Sequence, residues 1–432
     1  MAVIGIDFGG NWLRAAAPHN GGAQLFPHSR AAARMPFVFE VVARDGRPQY
    51  RINSLKRLLD FEKSLPVPPT GVGSLELVAK LLEQLRVEYQ RASGGHEVNC
   101  VLAVPPFFSQ RQRSTLRAAA VGAGFARVRL VDDTLAALLA SRKRLEASER
   151  VLVYSWGAST FSAALYQVRG GSYQVVAQEG SRESGANDLE AHVAASILAA
   201  LPQEARARAT GAEGEFLERL VDEVERAEPM LSRGEPATIR LRDLFPRGGP
   251  PGREEPGVVL SPDAFNEKAA EMAAETAELA ARVLAAGGDV PPQVILVSGG
   301  MTHLPVVRRM LAERFGLPLV DAGEEAVAFG AAMLGRSVTQ MEWEKQERPK
   351  EDEPRSSAEQ VKPPASPSNG EAAGAAHAAA RTARAWADAF VPLLNTAQRQ
   401  YERGEVVEAV ATFERLFGEL GRFSGEIYRQ AA

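Results

Sequence analysis

Along residues 1–335, short runs of aliphatic and β-branched residues alternate with longer stretches whose apolar positions recur at the helical period. The short runs predict strands over 3–8, 98–104, 128–131, 151–154, 172–178 and 294–298. The longer stretches predict helices over 74–92, 109–123, 135–145, 187–200, 213–230, 262–285 and 304–315. Ser109 and Asn187 stand where N-caps belong, and Pro262 and Pro305 suit first turns. Strands alternating with helices in this way predict an α/β fold, interrupted by a turn-rich loop over 246–257 (PRGGPPGREEPG).

Two segments read as copies of one device. Residues 3–16 (VIGIDFGGNWLRAA) and 151–164 (VLVYSWGASTFSAA) each give a strand, a tight glycine-containing turn and a returning apolar segment. Facing one another across a cleft, such turns aim backbone N–H groups at a phosphate chain, and small residues let it approach the main chain. The copies differ at one place that matters chemically: the first carries Asp7 where the second carries Ser155.

Composition narrows the classes. A chain of 432 residues exceeds one ordinary core, so more than one domain or lobe is expected. A net charge of −4 gives no pull toward nucleic acid or an anionic membrane. The single cysteine, Cys100, excludes an internal disulfide and a cysteine-built zinc cage, and its apolar neighbours predict a buried, inert thiol. The chain enters its first strand without a basic, apolar leader, and no stretch is long enough to span a bilayer, so the expected compartment is the cytoplasm. The six histidines are scattered, and the P-loop, zinc-protease and nucleophile-elbow signatures are missing from the sequence.

Several segments, in order, resemble the nucleotide-binding domain of DnaK-type heat-shock chaperones, within the actin-like ATPase superfamily. IGIDFGGNW is similar to that family's first phosphate loop, and LKRLLDF to the segment carrying its catalytic lysine. VLAVPPFFSQRQRSTLRAAAVGAGF resembles V-I-T-V-P-A-Y-F-N-D-x-Q-R, RLVDDTLAALLA resembles R-I-I-N-E-P-T-A-A-A-L-A, and VYSWGASTFS resembles the second phosphate loop, V-Y-D-L-G-G-G-T-F-D. ERAEPMLS, ILVSGGMTHLP and EEAVAFGAA continue the match to about residue 335. The resemblance implies a two-lobed actin-like ATPase fold built from duplicated βββαβα units over residues 1–335, with the second lobe from about 148.

It also implies a site for ATP or ADP with Mg²⁺. Asp7, Lys56 and Asp133 fall at its catalytic positions, Asp133 standing for a glutamate. Gly9, Gly10 and Asn11 form the first loop, Gly10 and Asn11 replacing paired threonines; Gly157, Ala158, Ser159 and Thr160 form the second, Ala158 and Ser159 replacing glycines. Ser155 and Ser162 occupy both aspartate positions of that loop, leaving Asp7 and, through water, Ser155 as a weak metal set. Toward the adenosine, Gly185, Glu225, Ser232, Gly299 and Gly300 match, His303 replaces a stacking arginine, and Glu228 and Pro229 replace a lysine and an arginine, the proline being expected to shorten its helix.

Beyond the matched region, 343–369 is charged, rich in proline and almost free of aliphatics, so residues 336–380 are expected to be a disordered linker. Residues 381–432 regain helical periodicity, and LLNTAQRQYERGEVVEAVATFERLF resembles a tetratricopeptide repeat, with Ala397, Gly404, Ala409 and Phe413 at its small, turn, small and aromatic positions. A helical hairpin there, short of core by itself, is expected to hold a protein partner or a second copy through Trp386, Phe390, Phe413 and Phe417; the alternative is a bland helical pair folding back on the main domain. Three functions stay open: a chaperone-related ATP-binding protein with slow or absent hydrolysis and no client-holding β-sandwich, a pseudo-ATPase scaffold working through its tail, and an active ATPase with rearranged site residues.

Overall fold

The computed structural model describes residues 2–26, 72–95, 97–182, 184–200, 213–240, 244 and 257–337, with short strand pieces between 35 and 67. All lie in one compact unit, Met1–Pro349. Lys56, the linker from 338 onward and the hairpin over 381–432 fall outside the described residues.

The first half runs β1 (Ala2–Phe8), β2 (Trp12–His19), β3 (Gly22–Leu25), α1 (Ser74–Ser93), β4 (Val98–Val104), α2 (Gln110–Gly122), β5 (Arg127–Asp132) and α3 (Asp133–Ser141). The second runs β6 (Arg150–Trp156), β7 (Phe161–Arg169), β8 (Ser172–Ser181), α4 (Ala186–Ala200), α5 (Glu213–Ser232), β9 (Ala237–Arg240), β10 (Gly257–Leu260), α6 (Pro262–Ala286), β11 (Val294–Ser298), α7 (Pro305–Phe315), β12 (Leu319–Asp321) and α8 (Ala326–Ser337). The sheets are ordered β5-β4-β1-β2-β3 and β8-β7-β6-β11-β12. In each, three antiparallel strands lead into two parallel ones reached through helices. The duplication legible in two short segments therefore extends over both halves, and each βββαβα unit is completed by one more strand and helix. This is the two-lobed α/β arrangement of actin-like ATPases.

Burial explains the layering. Ile4, Ile6 and Phe8 alternate along β1 onto one face, against Leu77, Leu81 and Leu85 of α1 and Leu116 of α2. Leu152, Tyr154 and Trp156 of β6 do the same toward α4, α5 and α6. The opposite faces meet α3 and α8, which lie between the sheets: Val101, Ala103, Val151, Val153 and Leu296 pack on Ala136, Ala137, Val327 and Ala331. Small residues let these two helices cross closely, Gly330 lying directly on the Ala136 backbone.

Several expectations need correction. The helix expected over 135–145 is an α-helix to Ser141 followed by a 3₁₀ turn, Arg142–Leu145. Asn187 is not a cap, because α4 already begins at Ala186. Pro229 does not shorten α5, which continues to Ser232; so near the end, its missing N–H removes few helical bonds. Arg336 and Ser337 belong to α8, not to a linker. Ser109 does cap α2, within a full capping box with Gln112.

Candidate functional site

The two glycine turns share one geometry. Gly9 N–H donates to Trp12 O at 3.0 Å, and Gly157 N–H donates to Thr160 O at 3.0 Å, so each turn closes between the antiparallel strands that flank it. They also touch one another. A Cβ added at Gly10 would sit 2.6 Å from Ser159 Oγ, 2.9 Å from its nitrogen and 3.0 Å from Ala158 Cβ. Only glycine lets the first turn press this closely on the second. Beside this contact, Asn11 and Asn187 exchange side-chain amides, Nδ2 to Oδ1 at 2.7 Å one way and 2.9 Å the other. The structure thus brings Gly9, Gly10, Asn11, Gly157, Ala158, Ser159 and Thr160 together, and joins the β1–β2 turn to the start of α4.

Gly185 packs on Ala158 and Ser159, and the first amides of α4 are committed to the second turn: Ala186 N–H to Gly157 O at 3.2 Å, Asn187 N–H to Ala158 O at 2.9 Å. Gly299, at φ +89°, backs the same turn, where a side chain would meet Trp156 and Gly157; Gly300 opens the 3₁₀ turn that follows.

The charged half of the site is altered by Arg14, a residue that none of the sequence motifs singles out. Asp7 and Arg14 are cross-strand partners on β1 and β2, so their side chains share a face. Arg14 Nη1 lies 3.9 Å from Asp7 Oδ2, and its Nη2 donates to Glu324 Oε2 at 3.1 Å. The signal available in the sequence is an arginine inside an otherwise apolar strand, Leu13 to Ala17. In the second sheet Ser155 is in register with Ser162 on β7 and with Ser298 on β11, three neutral hydroxyl residues in a row.

Asp133, Glu225, Ser232 and His303 lie on other elements. Asp133 is the first residue of α3 and is buried, while its neighbour Asp132 holds Arg113 at 2.6 Å. Glu225 and Ser232 lie on α5, which packs with α4, α6 and β9. On that helix, burial and then the charge of Glu225 raise the pKa of Glu228 above the ordinary carboxylate range. His303 Nδ1 is 3.6 Å from Asp321 Oδ2, a carboxylate also held by Arg308.

A family model described as Hsp70 protein matches residues 72–346. The chaperone protein DnaK of Thermosipho africanus (strain TCF52B) is 27% identical over 354 residues, and that of Thermosipho melanesiensis (strain DSM 12029 / CIP 104789 / BI429) is 27% identical over 353. Each match covers 77% of this chain and 58% of the relative, so the chain spans little more than half the length of these curated relatives. No helix among the described residues is long and apolar enough to cross a membrane. The matched stretch exceeds half the chain and runs from α1 through the second sheet, with its glycine turn, to α8: this protein carries a divergent Hsp70-type nucleotide-binding domain and belongs to the Hsp70 family.

Proposed function

We propose that the chain is a nucleotide-binding member of its family whose ATP hydrolysis is slow or absent. The observation that carries this reading is that Ser155 and Ser162, standing where the family resemblance places two aspartates, are in register with each other and with Ser298. Phosphoryl transfer depends on positioning and on neutralising charge spread over the transferred group. Hydroxyls orient water but supply no charge, and loss of one positioning or base group typically costs ~10²–10⁴ in rate.

The family relationship implies magnesium in general, but the residues here do not suit it. Mg²⁺ takes hard oxygen donors, usually including carboxylate. Asp7 faces a guanidinium instead, its neighbours across the site are serines, and among the described residues no three His, Cys, Asp or Glu side chains converge. The test is turnover of the full chain with Mg-ATP beside the double variant Ser155→Asp with Ser162→Asp. Turnover by the wild type at the rate of an active chaperone ATPase refutes the reading.

A second reading, a scaffold that takes no nucleotide, is favoured by the contact of Gly10 with Ser159 and by the Asn11–Asn187 exchange, which close the turns on each other. Calorimetric titration with ATP and ADP separates the two. In either case we assign partner contact to residues 381–432, held by self-association or by another protein. Deleting 340–432 should then turn a dimer into a monomer or abolish a pull-down, with nucleotide affinity unchanged.

A further inference from the structure

The Asp7–Arg14–Glu324 arrangement takes the nucleotide-binding reading one step further and depends on that reading being right. We propose that Arg14 supplies the positive charge at the phosphates, so that this protein binds a nucleoside di- or triphosphate without a metal ion.

Three observations combine. First, Arg14 is fixed in place by the ladder: its Cα pairs with that of Asp7, one residue before the Phe8–Leu13 pair that ends the hairpin at the Gly9 turn. A guanidinium on this strand position lies at the mouth of the first phosphate-type turn and on the inner face of the sheet. Second, it is only 17% exposed, and Asp7 15%, so the charge acts in a partly desolvated place where it is screened less than at the surface. Third, its other partner, Glu324, is 58% exposed and sits just before α8. An ion pair with so exposed a carboxylate contributes little, so a phosphate oxygen can take its place at small cost. Asp7 then acts as a positioning residue: its charge beside Nη1 keeps the guanidinium on this face while the Nε–Nη2 edge, released by Glu324, turns to the ligand. The fork geometry of arginine matches phosphate bidentately, which a metal-free site needs because no hydrated cation orders the oxygens.

The same arrangement explains why serines are tolerated at 155 and 162. Carboxylates there would add negative charge beside a phosphate chain that a guanidinium, not a dication, neutralises. Neutral hydroxyls add no repulsion, and they donate hydrogen bonds to phosphate oxygens instead. Arg14 and the serine row are thus one coherent change of charge: a removed dication, a gained guanidinium and lost carboxylates.

The experiment is calorimetric titration of the full chain with ATP and with ADP, in EDTA and in excess Mg²⁺, on the wild type, Arg14→Met, Arg14→Lys and Glu324→Gln. The wild type should bind with dissociation constants within about threefold of each other in the two conditions. Arg14→Met should weaken binding by roughly 10–150-fold, the worth of hydrogen bonds to a charged group, with Arg14→Lys between. Because the Glu324 pair contributes little, Glu324→Gln should tighten binding in EDTA by no more than about fivefold. The comparison of EDTA with Mg²⁺ on the wild type, together with Arg14→Lys, keeps the test decisive even if Arg14→Met does not fold. Binding that EDTA abolishes and Mg²⁺ restores, or an Arg14→Lys protein that binds as tightly as the wild type, overturns the proposal and leaves the nucleotide reading standing. Failure of the wild type to bind in either condition overturns the nucleotide reading and the proposal with it.

Discussion

Replacing Gly330 by alanine tests the layer on which both sheets rest. The new Cβ would lie 2.5 Å from the carbonyl carbon of Ala136 and 2.8 Å from its Cα, where ordinary contact begins at 3.4 Å. Both neighbours are helix backbone and cannot rotate away, so α3 and α8 must part by about 1 Å, a gap that forfeits roughly a quarter to a half of the dispersion energy between facing atoms. The affected seam is the cluster of Ala136, Ala137, Val151, Val153, Val327 and Ala331 that joins the sheets. Overpacking of a well-filled core typically costs ~1–3 kcal/mol, and the rigid backbone places this substitution at the upper end, about 3 kcal/mol. The control is Gly122→Ala at the end of α2, where an added Cβ meets nothing within 4 Å. That change should be neutral or stabilise by up to about 1 kcal/mol through helix propensity. Denaturant midpoints followed by circular dichroism on the full chain measure both. A Gly330→Ala protein within about 0.5 kcal/mol of wild type would mean that the helices do not cross this closely, and the account of the inter-sheet layer would fail.

Three further outcomes rest on single residues. Glu228→Gln should stabilise the protein at pH 7: a carboxyl whose folded pKa is raised by burial binds more protons folded than unfolded, so its full contribution is present below the unfolded pKa and is lost as pH rises through the folded one. The gain from that variant should vanish in acid unfolding experiments near pH 4, and a pH-independent gain would assign it to packing instead. Cys100 is fully buried and burial pushes its thiol pKa up, so a thiol reagent should label it only after unfolding, and rapid labelling of the native chain would contradict its place in β4. Asn11→Ala should weaken the join between the turns by the loss of two hydrogen bonds, read as faster amide exchange at the start of α4; unchanged exchange there would show that the Gly10–Ser159 contact suffices alone.

The strands legible in the sequence are those whose burial leaves an unbroken or alternating apolar run. The run at 98–104 is continuous because it is buried on both faces, toward α1 and α2 on one and α3 and α8 on the other, whereas β1 alternates because Ile4, Ile6 and Phe8 hide on one face. The last helix, α8, shows itself as a family motif but not as a helix. Its residues AVAFGAAMLGRS are small on nearly every side because it lies between two sheets, which erases the amphipathic period. Strands β9, β10 and β12 are four residues or fewer, too short for an alternation to stand out. In the site, the loss of carboxylates at 155 and 162 is visible residue by residue. The gain at Arg14 is not, because a residue seven places on from Asp7 becomes its neighbour only when the hairpin closes in one register. The partnership of Asn11 with Asn187 spans far more chain and depends on how the halves meet, which no local pattern encodes.

That amide pair sets how the cleft answers its surroundings. Neither side chain titrates, so the join does not loosen with acidity, and it carries no net charge for salt to screen. Its two hydrogen bonds are worth about 1 kcal/mol each, so they alone bias the turns toward the joined form by roughly thirtyfold. A compound that prefers the parted form by more than this margin shifts the balance; changes in pH or ionic strength across the ordinary cellular range do not. The latch is therefore deaf to bulk conditions and responsive only to something that enters the cleft.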